Sequence, residues 1–176
     1  MPDPFDGDLD DVDAPATAPG LEAAVFRHVL GHVPTGVVVV TAAPPGGPVG
    51  LSVGSFVSVS LQPPLVAFCP NRRSWSWSGI RRAGAFCVNV LAEDQEALCR
   101  RFAGRGTDKF RGVGWTPAPT GSPRLGRVLA WIDCDIEAVH EAGDHQICVG
   151  RVRQLEVERE DGPLVFCRGG YGRFEP

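Results

Sequence analysis

The chain predicts a mainly β fold, an antiparallel barrel or sandwich with a few peripheral helices, and three features carry that expectation. Short apolar runs recur between Gly- and Pro-rich breaks along most of the 176 residues, a spacing suited to strands joined by turns. Residues 127–140 alternate with period two, which puts Val128, Ala130, Ile132, Cys134, Ile136 and Ala138 on one face of a long strand. Turn residues at 142–144 lead into a partner segment at 146–157, completing an antiparallel hairpin.

Residues 1–20 hold six aspartates, four prolines and few large apolar side chains. They cannot bury enough surface to offset their ordering entropy and are expected to form a disordered acidic tail. Residues 21–176 then make one domain, since a chain of this size with 43% hydrophobic content builds a single core. In 21–31, Leu21, Val25 and Val29 recur every fourth residue and Phe26 pairs with Leu30, giving one apolar helix face that ends at Gly31 and Pro34. Strands follow at 36–42, 49–60 and 65–68, with turns at 44–48 and at Pro63-Pro64. A short helix at 76–82, a strand at 86–91 and a helix at 94–102 capped by Asp94 come next. A glycine-rich charged loop spans 104–114, and a last strand at 164–167 precedes Gly169-Gly170-Tyr171.

A net charge of −4 lacks the basic patch that neutralises nucleic-acid phosphates, so nucleic acid is not an expected partner. No apolar run approaches the roughly 20 residues that span a bilayer, and no basic flank with an apolar stretch opens the chain. A cytoplasmic protein without membrane attachment is expected. The six cysteines form no CxxC pair and no zinc-like spacing, and reduced core thiols are their expected state. His28 and His32 stand one helical turn apart without a third ligand, which favours a helix surface over a metal site.

The chemistry-bearing candidates fall in four places. Thr35 and Gly36 stand at the mouth of a buried strand, a position equally served by an ordinary turn. Residues 50–60 carry Ser52, Ser58 and Ser60 on one strand face with Ser55 nearby; such a row suits a phosphate or a sugar-alcohol chain, and equally a solvated face. Arg105, Lys109 and Arg111 follow Phe102-Ala103-Gly104 and could cover a ligand phosphate or simply solvate a loop. His145, after Gly143-Asp144, sits at the hairpin tip, where a side chain is aimed outward. No GxGxxG follows a strand, no GxxxxGK[ST] occurs, and no GxSxG elbow is present, which removes dinucleotide-fold, P-loop and hydrolase readings.

Taken in order, several segments resemble the flavin reductase family, whose members serve as reductase components of two-component flavin-dependent monooxygenases. They are Pro34-Thr35-Gly36-Val37, residues 50–61 with Pro63-Pro64-Leu65-Val66, residues 84–91, Phe102-Ala103-Gly104, Asp108-Lys109-Phe110, Gly143-Asp144-His145 with Gly150-Arg151-Val152, and Pro163-Leu164. The resemblance runs from about Phe26 to Tyr171. It implies a Greek-key split β-barrel that forms a homodimer, with FMN or FAD held noncovalently near the subunit interface, NADH as hydride donor, and reduced flavin passed to a separate monooxygenase. It also implies that Thr35, Gly36, Ser52, Val53, Gly54, Ser55 and Phe56 contact the isoalloxazine and ribityl parts. Ser58, Ser74, Phe102, Ala103 and Gly104 would lie toward the phosphate or ring edge, and His145 beside the nicotinamide. Gly54 stands where relatives often have a small polar residue, and Trp75 and Trp77 interrupt a serine-threonine pattern; either Trp is a candidate for the adenine end of a dinucleotide or for the dimer interface. Rival readings are a flavin-binding or electron-transfer module without nicotinamide oxidation, a pyridoxamine-phosphate oxidase-like enzyme, which the single lysine disfavours, and an interaction domain that binds no flavin.

Overall fold

A computed structural model describes residues 21–174, so the acidic segment 1–20 lies outside the described residues. One helix, α1 (Ala23–Leu30), precedes strands β1 (Thr35–Gly36), β2 (Val38–Ala42), β3 (Val49–Val53), β4 (Val57–Leu61) and β5 (Pro64–Phe68). Then come α2 (Trp75–Ala83), β6 (Ala85–Val90), a 3-10 turn (Glu93–Gln95), α3 (Glu96–Ala103), β7 (Trp115–Pro117) and β8 (Pro123–Leu125). The long strands β9 (Ala130–Ala142) and β10 (His145–Val157) are followed by β11 (Leu164–Cys167) and β12 (Gly170–Arg173).

Seven strands form one antiparallel sheet in the order β3-β2-β6-β9-β10-β5-β4. Its two edge strands, β3 and β4, are consecutive in sequence and joined only by Gly54-Ser55-Phe56. The Cα atoms of Val53 and Val57 can be at most about 14 Å apart, whereas the edges of a flat seven-stranded sheet would be separated by about 29 Å. The sheet must therefore curl until its edges meet, which is the split β-barrel that the sequence implies. The gap is stitched at the link: the Cys69 amide, just past β5, donates to Ser55 Oγ at 2.9 Å.

The expected strand at 49–60 is thus two strands at opposite edges, a correction with a physical cause: closure requires a corner, and Gly54-Ser55-Phe56 makes it. Ser52 and Ser58 consequently do not share a strand face. Asp94 does not cap the following helix either; it lies inside the 3-10 turn and pairs with Arg127 at 3.1 Å and Arg159 at 3.3 Å.

Both faces of the central strands are buried, which explains the unbroken Val37-Val38-Val39-Val40 run. Val38, Val40, Phe68, Trp77, Phe86 and Val88 pack on one face. Val37, Val39, Leu91, Phe102, Leu125 and Trp131 pack on the other. The same two-sided cover reaches into β9, where Trp131 and Asp133 are as buried as the expected Cys134. Burial pushes the Asp133 carboxyl up, opposed by hydrogen bonds from the Thr120 hydroxyl and amide. Trp77 is a core residue, its indole N–H donating to Gln146 Oε1 at 2.6 Å, so of the two tryptophans only Trp75 is exposed.

At the β9–β10 bulge, a Cβ on Gly150 would stand 2.3 Å from the Phe86 ring, so the aromatic core fixes glycine there. The small sheet β1-β11-β12 joins the barrel through three backbone bonds: Val37 to Leu164, Leu164 to Leu91 and Leu91 to Val37, at 3.2, 3.0 and 3.1 Å. The β7–β8 hairpin is anchored by buried Asn89, whose Oδ1 accepts from the Leu125 amide at 2.7 Å.

Candidate functional site

A cavity of about 480 Å³ opens beside the β3 edge, within the range typical of small-molecule sites. Its floor is β3 and the corner after it: Leu51, Ser52, Val53, Gly54 and Ser55. Because β3 pairs, among the described residues, only with β2, half of its amides and carbonyls point to the open edge, where a ligand can take the place of a neighbouring strand. The C-terminal end of α3 supplies Phe102, Ala103 and Gly104, and the loop beyond supplies Arg105 and Lys109. Cys69, Pro70, Asn71 and Ser74 close one side, and Thr35 and Phe166 close another. His145 reaches the cavity from the start of β10.

The structure thus brings together Thr35, Ser52, Val53, Gly54, Ser55, Ser74, Phe102, Ala103, Gly104 and His145 around one space. Gly36, Phe56 and Ser58 stand outside its lining. Gly36 pairs with Val165 in the small sheet, Phe56 packs against the core, and Ser58 faces solvent on β4. Of the three loop cations, Arg111 stays on the surface, paired with Asp108 at 3.5 Å.

Sequence reasoning missed one wall altogether: Phe26, Arg27 and Leu30 of α1, with Gly31 and Val33 after it. The sequence showed the apolar face of α1 but not what it borders: in the structure none of its residues is buried, and the helix lies along the cavity instead of packing into the core. It also missed Cys69, Pro70, Asn71 and Phe166, which carry no motif-like pattern.

The hydroxyls divide by task. Ser52 is buried and donates to the Cys99 carbonyl at 2.8 Å, tying β3 to α3. Ser74 caps α2, accepting from the Trp77 amide at 3.3 Å. Behind Ser52, Cys99 Sγ lies 3.1 Å from the Tyr171 hydroxyl, and Arg100 stacks on the Tyr171 ring. Burial pushes the Cys99 thiol up and the Tyr171 hydroxyl well above its usual range; burial also raises Cys148 to about 12, so none of these is poised as a nucleophile.

The described part of the lining is rich in cations. Arg27, Arg105 and Lys109 line the cavity, and among the described residues no carboxylate does, although the whole chain carries a net charge of −4. Lys109 is held in place by the Phe102 carbonyl at 2.9 Å, at the negative end of α3. Such a wall suits an anionic group, and the apolar Phe102, Phe166, Leu51 and Val53 suit a flat ring beside it. An FMN or FAD phosphate and ring system fit this donor set. Among the described residues there is no group of three or more His, Cys, Asp or Glu that could hold a metal ion, and no helix is long and apolar enough to cross a membrane.

Comparison with known proteins agrees with this geometry. Residues 30–175 match the flavin reductase like domain. A flavin reductase of Pseudomonas putida is 57% identical over 150 residues, covering 85% of this chain and 88% of the relative. The reductase subunit HsaB of a flavin-dependent monooxygenase from Rhodococcus jostii is 49% identical, over 93% of this chain and 84% of the relative. The Streptomyces globisporus NADH:FAD oxidoreductase SgcE6, solved in complex with NAD and FAD fragments, superposes with a TM-score of 0.83 at 34% identity, covering 88% of this chain and 94% of that one. The split barrel, the cavity at its edge and these matches together place the chain in the flavin reductase family.

Proposed function

We propose that the protein is an NADH-dependent flavin reductase that binds FMN or FAD noncovalently, reduces it by hydride transfer and supplies reduced flavin to a separate flavin-dependent monooxygenase. The observation that carries this reading is a cavity beside an open strand edge whose described lining sets Arg27, Arg105 and Lys109 next to apolar Leu51, Val53, Phe102 and Phe166. Flavin held by these residues would supply the two-electron chemistry, as the acceptor for the hydride of NADH. The chain's own residues place the two molecules. Backbone groups of Ser52, Val53, Gly54 and Ser55 hold the ring and ribityl edge, with Thr35 across from them. Phe102, Ala103 and Gly104 exclude water from one side, while Ser74, Arg105 and Lys109 receive the phosphate. His145 stands beside the nicotinamide. The NADH:FAD oxidoreductase and the monooxygenase reductase subunit named above support the donor and the recipient.

The functional unit in this reading is a homodimer. Val25, Phe26, Val29 and Leu30 of α1, with Leu21 just before it, are 45–58% exposed, an apolar patch that a second copy would cover. Phe26 and Leu30 also line the cavity, so covering that face completes its wall. All six cysteines are free thiols, which fits a reducing cytoplasm.

Anaerobic titration of the flavin-loaded protein with NADH tests the reading. Bleaching of the flavin at one equivalent supports it; flavin that stays oxidised with NADH and with NADPH replaces it with a binding module.

A further inference from the structure

The start of α2 carries two tryptophans with opposite surroundings. Residues two apart on an α-helix lie about 200° around its axis. With Trp77 committed to the core, Trp75 therefore faces outward, and it is 55% exposed. An indole so exposed offers a flat apolar face beside the surface of the site.

A second, smaller cavity of about 120 Å³ lies against it, lined by Ser74, Trp75, Ser76, Gly106, Thr107 and Lys109. Ser74 and Lys109 also line the main cavity, so the two spaces meet at residues that receive the phosphate in the reading above. A self-standing small-molecule site occupies roughly 300 Å³ or more. The smaller cavity therefore suits one flat ring of a ligand whose larger part fills the main cavity.

Both sides of the neck between them are fixed. The Ser74 amide donates to the Asn71 carbonyl at 3.1 Å and the Arg73 amide to Asn71 Oδ1 at 2.8 Å, a turn that sets the backbone from which Trp75 projects. Across from it, Lys109 donates to the Phe102 carbonyl at 2.9 Å, and the Phe110 ring packs edge-on against Phe102 with centroids 5.0 Å apart. These contacts anchor the loop that carries Gly106 and Thr107. Among the described residues no carboxylate lines the smaller cavity, and Lys109 at its mouth favours a second phosphate.

We propose that Trp75 is a specificity-determining residue for the flavin: the smaller cavity receives the adenylate half of FAD, with the adenine stacked on the Trp75 indole, so that the protein prefers FAD to FMN. The inference rests on the reductase reading above. FAD continues from the phosphate on which FMN ends into a second phosphate, a ribose and adenine. Its extra half thus leaves the main cavity at Ser74 and Lys109, the residues that the two spaces share. Adenine presents apolar faces and a polar edge, and the indole with Ser76 and Thr107 around it offers the same division. NADH carries an adenylate too, and the experiment separates the two sources.

The test is equilibrium titration of the flavin-free protein with FAD, FMN and riboflavin. The wild type should bind FAD about tenfold more tightly than FMN, the scale of one base stacked on an aromatic side chain. Trp75→Ala should bring FAD to the affinity of FMN while FMN and riboflavin bind as in the wild type, which also shows that the variant is folded. Trp75→Phe keeps a flat ring and should recover most of the preference. At saturating FMN, Trp75→Ala should leave KM for NADH unchanged. Equal affinities for FAD and FMN in the wild type, or a loss in Trp75→Ala that FMN shares, overturns the inference and leaves the reductase reading intact. So does a raised KM for NADH with FAD affinity unchanged, which gives the adenylate to the nicotinamide nucleotide instead. A wild type that binds none of the three flavins overturns the reductase reading, and this inference with it.

Discussion

Strands β3 and β4 come from one run of sequence and have nearly the same composition, Val-Gly-Leu-Ser-Val and Val-Ser-Val-Ser-Leu, but they have opposite fates. β3 is buried almost throughout, covered by α2 and α3, and its serine is committed to the Cys99 carbonyl. β4 is exposed almost throughout, with Val57, Val59 and Leu61 in solvent and, among the described residues, no helix packed upon it. Composition gave both strands the capacity to pair. Which of them borders a binding cavity was decided by the elements that fold back over it. At β3 the end of α3 brings Phe102 and the cationic loop against an open backbone edge; nothing equivalent reaches β4.

That contrast can be broken or sharpened by substitution. Gly50→Ala on β3 should have the largest effect, because its Cβ would lie 2.7 Å from the buried Phe102 ring and 3.2 Å from the Val40 carbonyl oxygen. A cost of about 1–3 kcal/mol in urea unfolding is expected from such overpacking, with weaker flavin binding as Phe102 is pushed from its place. Ser52→Ala removes the β3–α3 hydrogen bond and should cost about 1 kcal/mol by the same measurement. Arg105→Ala tests the charge that the cover supplies. It should weaken FMN binding several-fold, roughly the worth of a partly screened ion pair, and leave riboflavin, which lacks the phosphate, unchanged. A matching loss for riboflavin would remove Arg105 from the phosphate. Ser58→Ala on β4 should stay within about 0.5 kcal/mol of the wild type and leave flavin affinity intact. A large effect there would mean that β4 reaches the ligand and that the contrast with β3 is false.

Local signals in the sequence located the elements well where the signal itself was local. The β9–β10 hairpin follows from period-two alternation and a glycine turn, and it spans Ala130–Ala142 and His145–Val157 where 127–140 and 146–157 were expected. The helix at Glu96–Ala103 was legible too, but Asp94 had no means of revealing that two distant arginines, Arg127 and Arg159, would claim it. The corner at Gly54-Ser55-Phe56 was hidden inside a continuous alternation, because barrel closure is a demand of the whole sheet and leaves only a glycine as its local mark. Thr35, Ser52, Ser74, Phe102 and His145 were named from separated motifs, and the fold gathers them around one cavity. The α1 wall was not, since its helix packs no residue into the core and only its position beside the β3 edge gives it a place in the site.

The most direct test of the central claim is the loss of NADH in air when the purified protein is mixed with FMN or FAD, against a control without protein. Rapid NADH consumption that requires both protein and flavin is the expected result, and the faster flavin identifies the preferred one. No consumption with NADH or NADPH, while flavin binding is measured in the same sample, would contradict the account.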